Sequence, residues 1–198
     1  MSLELNQLTG GYAHVPVLKE VSFTVPNNQV VGLIGLNGAG KSTTIKHIIG
    51  LLTPQKGTIT LDGVTLQSNP DQYRQKVAYV PETPVLYPEL TLKEHLELTM
   101  MAYDLNVEET WVKANALLKR FRLDNKLDWF PVHFSKGMRQ KVMIVNAFMT
   151  NADLFIIDEP FTGLDPLAIH DLLEIIAEKK AQGAAILMST HILATAQQ

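Results

Sequence analysis

The run Gly35-Leu36-Asn37-Gly38-Ala39-Gly40-Lys41-Ser42 constrains this chain more than any other segment. Three glycines so close together break both helix and strand, so the run is a loop. Before it, Gln29 to Ile34 is an apolar stretch that predicts a buried strand. After it, Thr43 to Ile49 continues as a helix ending at Gly50. A polyphosphate needs many hydrogen-bond donors close by, and backbone N–H groups supply them only where side chains stay away. Gly35, Gly38 and Gly40 permit that approach, and the helix N-terminus beyond adds partial positive charge. Lys41 can reach the β- and γ-phosphates, and the Ser42 hydroxyl can ligate Mg²⁺. The candidate phosphate contacts are therefore Gly35, Asn37, Gly38, Ala39, Gly40, Lys41, Ser42 and Thr43. A glycine-rich turn that matches by chance is the bland alternative; the flanking strand and helix weigh against it.

Composition narrows the setting. The chain has 198 residues, 46% apolar and 19% charged, which suits one globular domain with a subdomain. A net charge of −3 gives no general reason to expect nucleic acid as a partner. There are no cysteines, so disulfides and thiolate metal sites are excluded. No stretch approaches the roughly 20 apolar residues of a membrane-spanning helix. The opening Met-Ser-Leu-Glu-Leu-Asn lacks the basic and apolar blocks of a signal peptide. Any membrane role is expected to come through a partner.

The first sixty residues predict short strands separated by turns. Val17 to Val25 alternates in part and is broken by Pro26-Asn27-Asn28. Gly57 to Leu61 predicts a strand closing on Asp62-Gly63, and Val77 to Val80 another, stopped by Pro81. The character changes near Pro84. Thr91-Leu92-Lys93-Glu94 matches a helix capping box, and Leu92, Leu96, Met100 and Tyr103 then share one helical face. Trp111, Ala114, Leu118 and Phe121 repeat that pattern in a second helix. The basic cluster from Lys119 to Lys126 is read as a solvated face. From Ser135 a helix is apolar on most sides, which implies deep burial. Strand (Leu154 to Ile157), helix (Pro166 to Lys180) and strand (Ala184 to Met188) follow, and such alternation argues for a parallel sheet covered on both faces.

Leu154-Phe155-Ile156-Ile157-Asp158-Glu159 is the second segment that carries chemistry. Four apolar residues make a buried strand, and ligands in open α/β sheets bind at the carboxyl ends of strands. Asp158 there would hold Mg²⁺, and Glu159 would polarise an attacking water. A strand that ends in a solvated acidic turn is the alternative.

The order of these segments resembles the ATP-binding-cassette (ABC) ATPases, the nucleotide-binding subunits of ABC transporters. Phe134-Ser135-Lys136-Gly137-Met138 occupies the place of that family's signature, Leu-Ser-Gly-Gly-Gln. The resemblance implies that Ser135 and Gly137 meet the γ-phosphate held by an opposite subunit. Ser135 is in any case a helix N-cap, and free N–H groups there form an anion site. Gly163-Leu164-Asp165 resembles the D-loop, whose contacts cross the dimer; Asp165 before Pro166 is also a sound cap. His191, after Ser189-Thr190, stands where the switch histidine does, and Tyr12 where an aromatic stacks on adenine, although Tyr12 could equally be core edge. Two positions depart from the pattern. Glu82, in Tyr79-Val80-Pro81-Glu82, replaces the lid glutamine and keeps a hard oxygen ligand for Mg²⁺. Lys136 replaces a signature glycine, and its side chain must point away from the opposing loop.

What the resemblance implies is an α/β P-loop NTPase of ABC type: a mainly parallel sheet flanked by helices, with an N-terminal antiparallel β part and a helical subdomain. Residues 1–83 and 135–198 would form the core and 84–134 the helical subdomain, in one domain spanning 1–198. It implies ATP and Mg²⁺ as cofactors, a homodimer around two ATP, an integral-membrane transporter subunit as partner, and a peripheral place on the cytoplasmic face of the membrane. Lys41, Glu159 and His191 would carry hydrolysis. A soluble ABC ATPase working on ribosomes or DNA, and a low-turnover nucleotide switch, stay open as alternatives. Family members continue well past the switch histidine, whereas this sequence stops at Gln198, so truncation is expected.

Overall fold

A computed structural model describes residues 2–13 and 15–190, which divide into two compact units. Of the described residues, the first unit contains 2–13, 15–79, 152–160 and 179–190, the second 80–151 and 161–178.

The first unit holds two sheets. Strands β1 (Ser2–Tyr12), β2 (Val15–Pro26) and β4 (Lys56–Leu61) form an antiparallel sheet in the order β2-β1-β4. Strand β1 pairs Leu3 with Val25 and Leu5 with Phe23 on one side, and Leu3 with Leu61 and Leu5 with Ile59 on the other. Past Leu5 the register shifts, and Gln7 adopts a φ of 48° with its N–H bonded to the Ser22 hydroxyl at 2.8 Å. That bulge turns Leu8 inward one residue out of step with Leu3 and Leu5.

Gly57 lies opposite the bulge. Its φ is +82°, and a Cβ there would lie 2.4 Å from the carbonyl oxygens of both Asn6 and Gln7. Backbone cannot yield as a side chain can. Gly57→Ala is therefore expected to destabilise the protein by about 2 kcal/mol or more, from left-handed strain plus the clash. A denaturant midpoint equal to the parent's would refute this account of the bulge.

The second sheet runs β3 (Val30–Ile34), β7 (Ala185–Thr190), β6 (Leu154–Asp158), β5 (Val77–Val80). Strands β3 and β7 are parallel, as are β7 and β6. Strands β6 and β7 are buried at every residue, as their continuous apolar runs require. The expectation of a buried strand before the glycine loop needs correction. Among the described residues strand β3 pairs with β7 alone and lies at the sheet edge, with Val30 38% and Ile34 46% exposed. Helix α1 (Lys41–Ile48) sends Ile45 and Ile48 into one apolar cluster with Leu3, Leu5, Ile59, Ile156 and Leu187, so both sheets share a core. Helix α2 (Pro70–Gln75) is short, capped by Asn69, and buries Tyr73, whose hydroxyl donates to the Ile48 carbonyl at 2.9 Å.

The second unit is helical. Helix α3 (Leu92–Ala102) starts with a complete capping box: Glu94 N–H donates to Thr91 Oγ1, and Thr91 N–H donates to Glu94 Oε2. Helix α4 (Val107–Phe121) buries Ala114, Leu118 and Phe121, while Trp111 is half-buried. Helix α5 (Lys136–Phe148) packs against α3 and α4. Helix α6 (Pro166–Ala181) begins in this unit. The basic cluster after α4 is more than a solvated face. Arg120 binds Glu174 and Glu178, and Arg122 binds Asp171, so the cluster straps α4 to α6. Among the described residues no helix is long and apolar enough to cross a membrane.

Candidate nucleotide site

Register places the chemistry. Ile34 at the end of β3 pairs with Thr190, and Asp158 at the end of β6 pairs with Ser189. All three strands run parallel, so the glycine loop and the acidic pair leave the sheet at the same end. One strand separates them, which puts the strand ends about 10 Å apart. This is the edge where open parallel sheets bind ligands.

Within the loop, Gly38 and Gly40 have φ of +84° and +94°, values that L side chains rarely adopt. Ala39 N–H closes a turn onto the Leu36 carbonyl at 3.1 Å. The next feature separates α1 from every other described α-helix. Asn69, Thr91, Asn106, Ser135 and Asp165 each put a side-chain oxygen on a backbone N–H at their helix starts. Gly40, the cap of α1, has no side chain to do so. The first N–H groups of a helix lack intrahelical acceptors, so α1 presents uncapped donors and its positive dipole end together. No acidic residue occupies its first turn. That combination suits an anion.

Lys41 faces this end of the sheet. Its ammonium donates to the Gly35 carbonyl at 2.7 Å and to Leu36 at 3.4 Å, and lies 3.7 Å from Glu159 Oε1. The Lys41 and Glu159 side chains are both about nine-tenths buried. Glu159 has a φ of 47°, an uncommon conformation for a glutamate that costs roughly 1–3 kcal/mol. Ser189 holds it there. The Ser189 hydroxyl accepts the Glu159 N–H at 3.0 Å and donates to Asp158 Oδ1. One buried hydroxyl on β7 thus orients both acids. Sequence reasoning missed Ser189; its one signal is a hydroxyl that, with Thr190, ends an apolar run.

The donor set fits Mg²⁺. Asp158 is a buried carboxylate at the end of β6, and Ser42 is a hydroxyl in the first turn of α1, which packs against β6. Hard oxygens of this kind suit that ion, and a buried carboxylate calls for cations or donors around it. Tyr12 ends β1, is exposed, and receives a hydrogen bond from Lys46 Nζ at 3.1 Å. That bond, with a second from Thr43, holds the phenol below its usual range.

In the second unit, Ser135 Oγ accepts the Met138 N–H at 3.2 Å, which makes it the cap of α5. Ser135 and Lys136 are exposed. Gly137 leaves no room for a Cβ, which would lie 2.5 Å from the Gly163 carbonyl oxygen. The stem of Lys136 runs beside Gly163. Lys141 binds Asp165 at 2.7 Å, and with the Ala168 N–H it lowers the Asp165 pKa. The start of α5 and the segment from Gly163 to Asp165 therefore sit against each other by close backbone approach and by an ion pair. Glu82 is exposed in the turn after β5. His191 lies outside the described residues.

A glycine loop opening an uncapped helix, with an acidic pair at a strand end one strand away, defines a class, and comparison with known proteins agrees. Residues 18–162 match the family model described as ABC transporter, so the chain belongs to the ABC transporter family. Within that family it is an ATP-binding subunit that hydrolyses ATP. It is 62% identical over 196 residues to the ABC-type transporter ATP-binding protein EcsA of Bacillus subtilis (strain 168), covering 99% of this chain and 79% of that protein. It is 35% identical over 198 residues to the Nod factor export ATP-binding protein I of Rhizobium meliloti, of which it spans 59%. A solved structure described as the ATP binding subunit of an ABC transporter matches with a TM-score of 0.96 and 59% identity, over all of this chain and 82% of that one.

Proposed function

We propose that the chain works as a pair of identical subunits that close around two ATP and drive an integral-membrane partner from the cytoplasmic face of the membrane. The uncapped start of α1, facing Asp158 and Glu159 across one strand, is the observation that carries this reading. Backbone donors from Gly35 to Thr43 hold the phosphates, and Lys41 exchanges its carbonyl partners for β- and γ-phosphate oxygens. Ser42 and Asp158 would hold Mg²⁺, which neutralises phosphate charge. Glu159, held by Ser189, accepts the proton of the attacking water. Tyr12 stacks on the base. Ser135 and Gly137 of the second copy close over the γ-phosphate, and Asp165 lies at the pair's interface. Two-fold pairing gives two equivalent composite sites.

Subunit complementation tests the pairing. Lys41→Ala spoils the cradle and Ser135→Arg spoils the lid, so each variant alone should be inactive. In a mixed pair both defects fall on one site and leave the other intact. An equal mixture is expected to regain up to about a quarter of the parent's hydrolysis, half the pairs having one good site of two. A mixture as inactive as its components would reject the composite site.

A further inference from the structure

We infer that Lys46 is a positioning residue for the nucleobase: it pins the Tyr12 ring to the same helix that cradles the phosphates. The inference rests on the reading of Tyr12 as the base platform.

Three observations support it. Tyr12 is an aromatic left 44% exposed at the end of β1, so core packing does not fix its ring. Its backbone, by contrast, is held tightly. A Cβ on Gly11 would lie 2.1 Å from the Val15 carbonyl oxygen, so the two strands close directly beside it. The hydroxyl end is then tethered. Lys46 Nζ lies 3.1 Å from the Tyr12 hydroxyl and 5.3 Å from the ring centroid, so the ammonium sits at the hydroxyl end and not over the ring face.

The geometry has a consequence for binding. Lys46 belongs to α1, whose first residue is Lys41. Base platform and phosphate cradle therefore share one rigid helix, and the spacing between them is set before any ligand arrives. Preorganisation of this kind raises affinity by removing an ordering cost. A cation at the hydroxyl end also leaves the ring face open for a base. Lys46 could instead act only as a distant positive charge for the phosphates, and the two roles separate experimentally.

The test measures equilibrium binding of ATP and of inorganic tripolyphosphate, each with Mg²⁺, to the full chain. The variants are Lys46→Met, Lys46→Arg, Tyr12→Phe, Tyr12→Ala and the Lys46→Met/Tyr12→Phe double. Lys46→Met and Tyr12→Phe should each weaken ATP by about three- to tenfold, the net worth of one ordinary hydrogen bond, because this one is exposed. The double variant should be no weaker than either single, because both remove the same bond. Lys46→Arg should restore ATP binding, and tripolyphosphate affinity should not change. Equal weakening of ATP and tripolyphosphate by Lys46→Met, or multiplying effects in the double variant, would overturn the inference. If Tyr12→Ala weakens ATP while Lys46→Met does nothing, only the role of Lys46 falls. If Tyr12→Ala itself leaves ATP unchanged, the base-platform reading falls with it.

Discussion

Glu159→Gln is expected to bind ATP at least as tightly as the parent chain and to hydrolyse it about 10²- to 10⁴-fold more slowly, the usual worth of a general base. The substitution keeps the side chain's shape and length, so the arrangement around it should survive. The Ser189 hydroxyl still accepts the residue's N–H, and the unusual backbone at φ 47° is retained. Proton affinity is what disappears, because an amide oxygen cannot take the proton of an attacking water. Binding should not suffer. The carboxylate lies 3.7 Å from the Lys41 ammonium, and removing its charge frees that ammonium for phosphate and removes repulsion of the triphosphate. With chemistry blocked, the ATP-bound pair should accumulate and run as a dimer in sedimentation. Undiminished steady-state hydrolysis by the variant would remove Glu159 from the role.

Much of this site is legible in the sequence because its parts are local. The glycine loop, the acidic pair after four apolar residues and the Thr91 capping box each lie within a few consecutive residues. Local chemistry fixes their form. What escaped depends on contacts distant in sequence. Strand β1 hides its alternation because the bulge at Gln7 moves Leu8 out of phase with Leu3 and Leu5. Helix α2 is six residues long and buries only Tyr73, too little for a helical period to show. The edge position of β3 follows from sheet order, which residue type does not encode: Val30 and Ile34 are apolar yet exposed. Ser189 acts on residues thirty positions away, and Arg120 and Arg122 meet acids about fifty positions on. A basic cluster and its acidic partners look like two separate solvated faces until the fold joins them.

Lys41→Ala is expected to weaken ATP binding by about 10- to 100-fold, the worth of one or two hydrogen bonds from a charged donor, and to abolish turnover. Two effects oppose each other. Removing the ammonium releases the Gly35 and Leu36 carbonyls, which it now satisfies at 2.7 and 3.4 Å. Both can be hydrated, since Gly35 is half-buried and Leu36 is 83% exposed, so that release costs little. The variant should therefore fold, although losing the cation beside the nearly buried Glu159 carboxylate lowers its melting temperature. Against this stands the loss of the positive charge aimed at the phosphates, and of the cation that offsets Glu159. With that cation gone, the site becomes more negative just where a triphosphate must enter. The electrostatic loss dominates. Lys41→Arg should not rescue the variant: the ammonium is a compact charge against the loop backbone, whereas a guanidinium is a broad planar fork. Calorimetric titration with ATP decides the matter; an affinity equal to the parent's in Lys41→Ala would mean that the loop does not hold the phosphates.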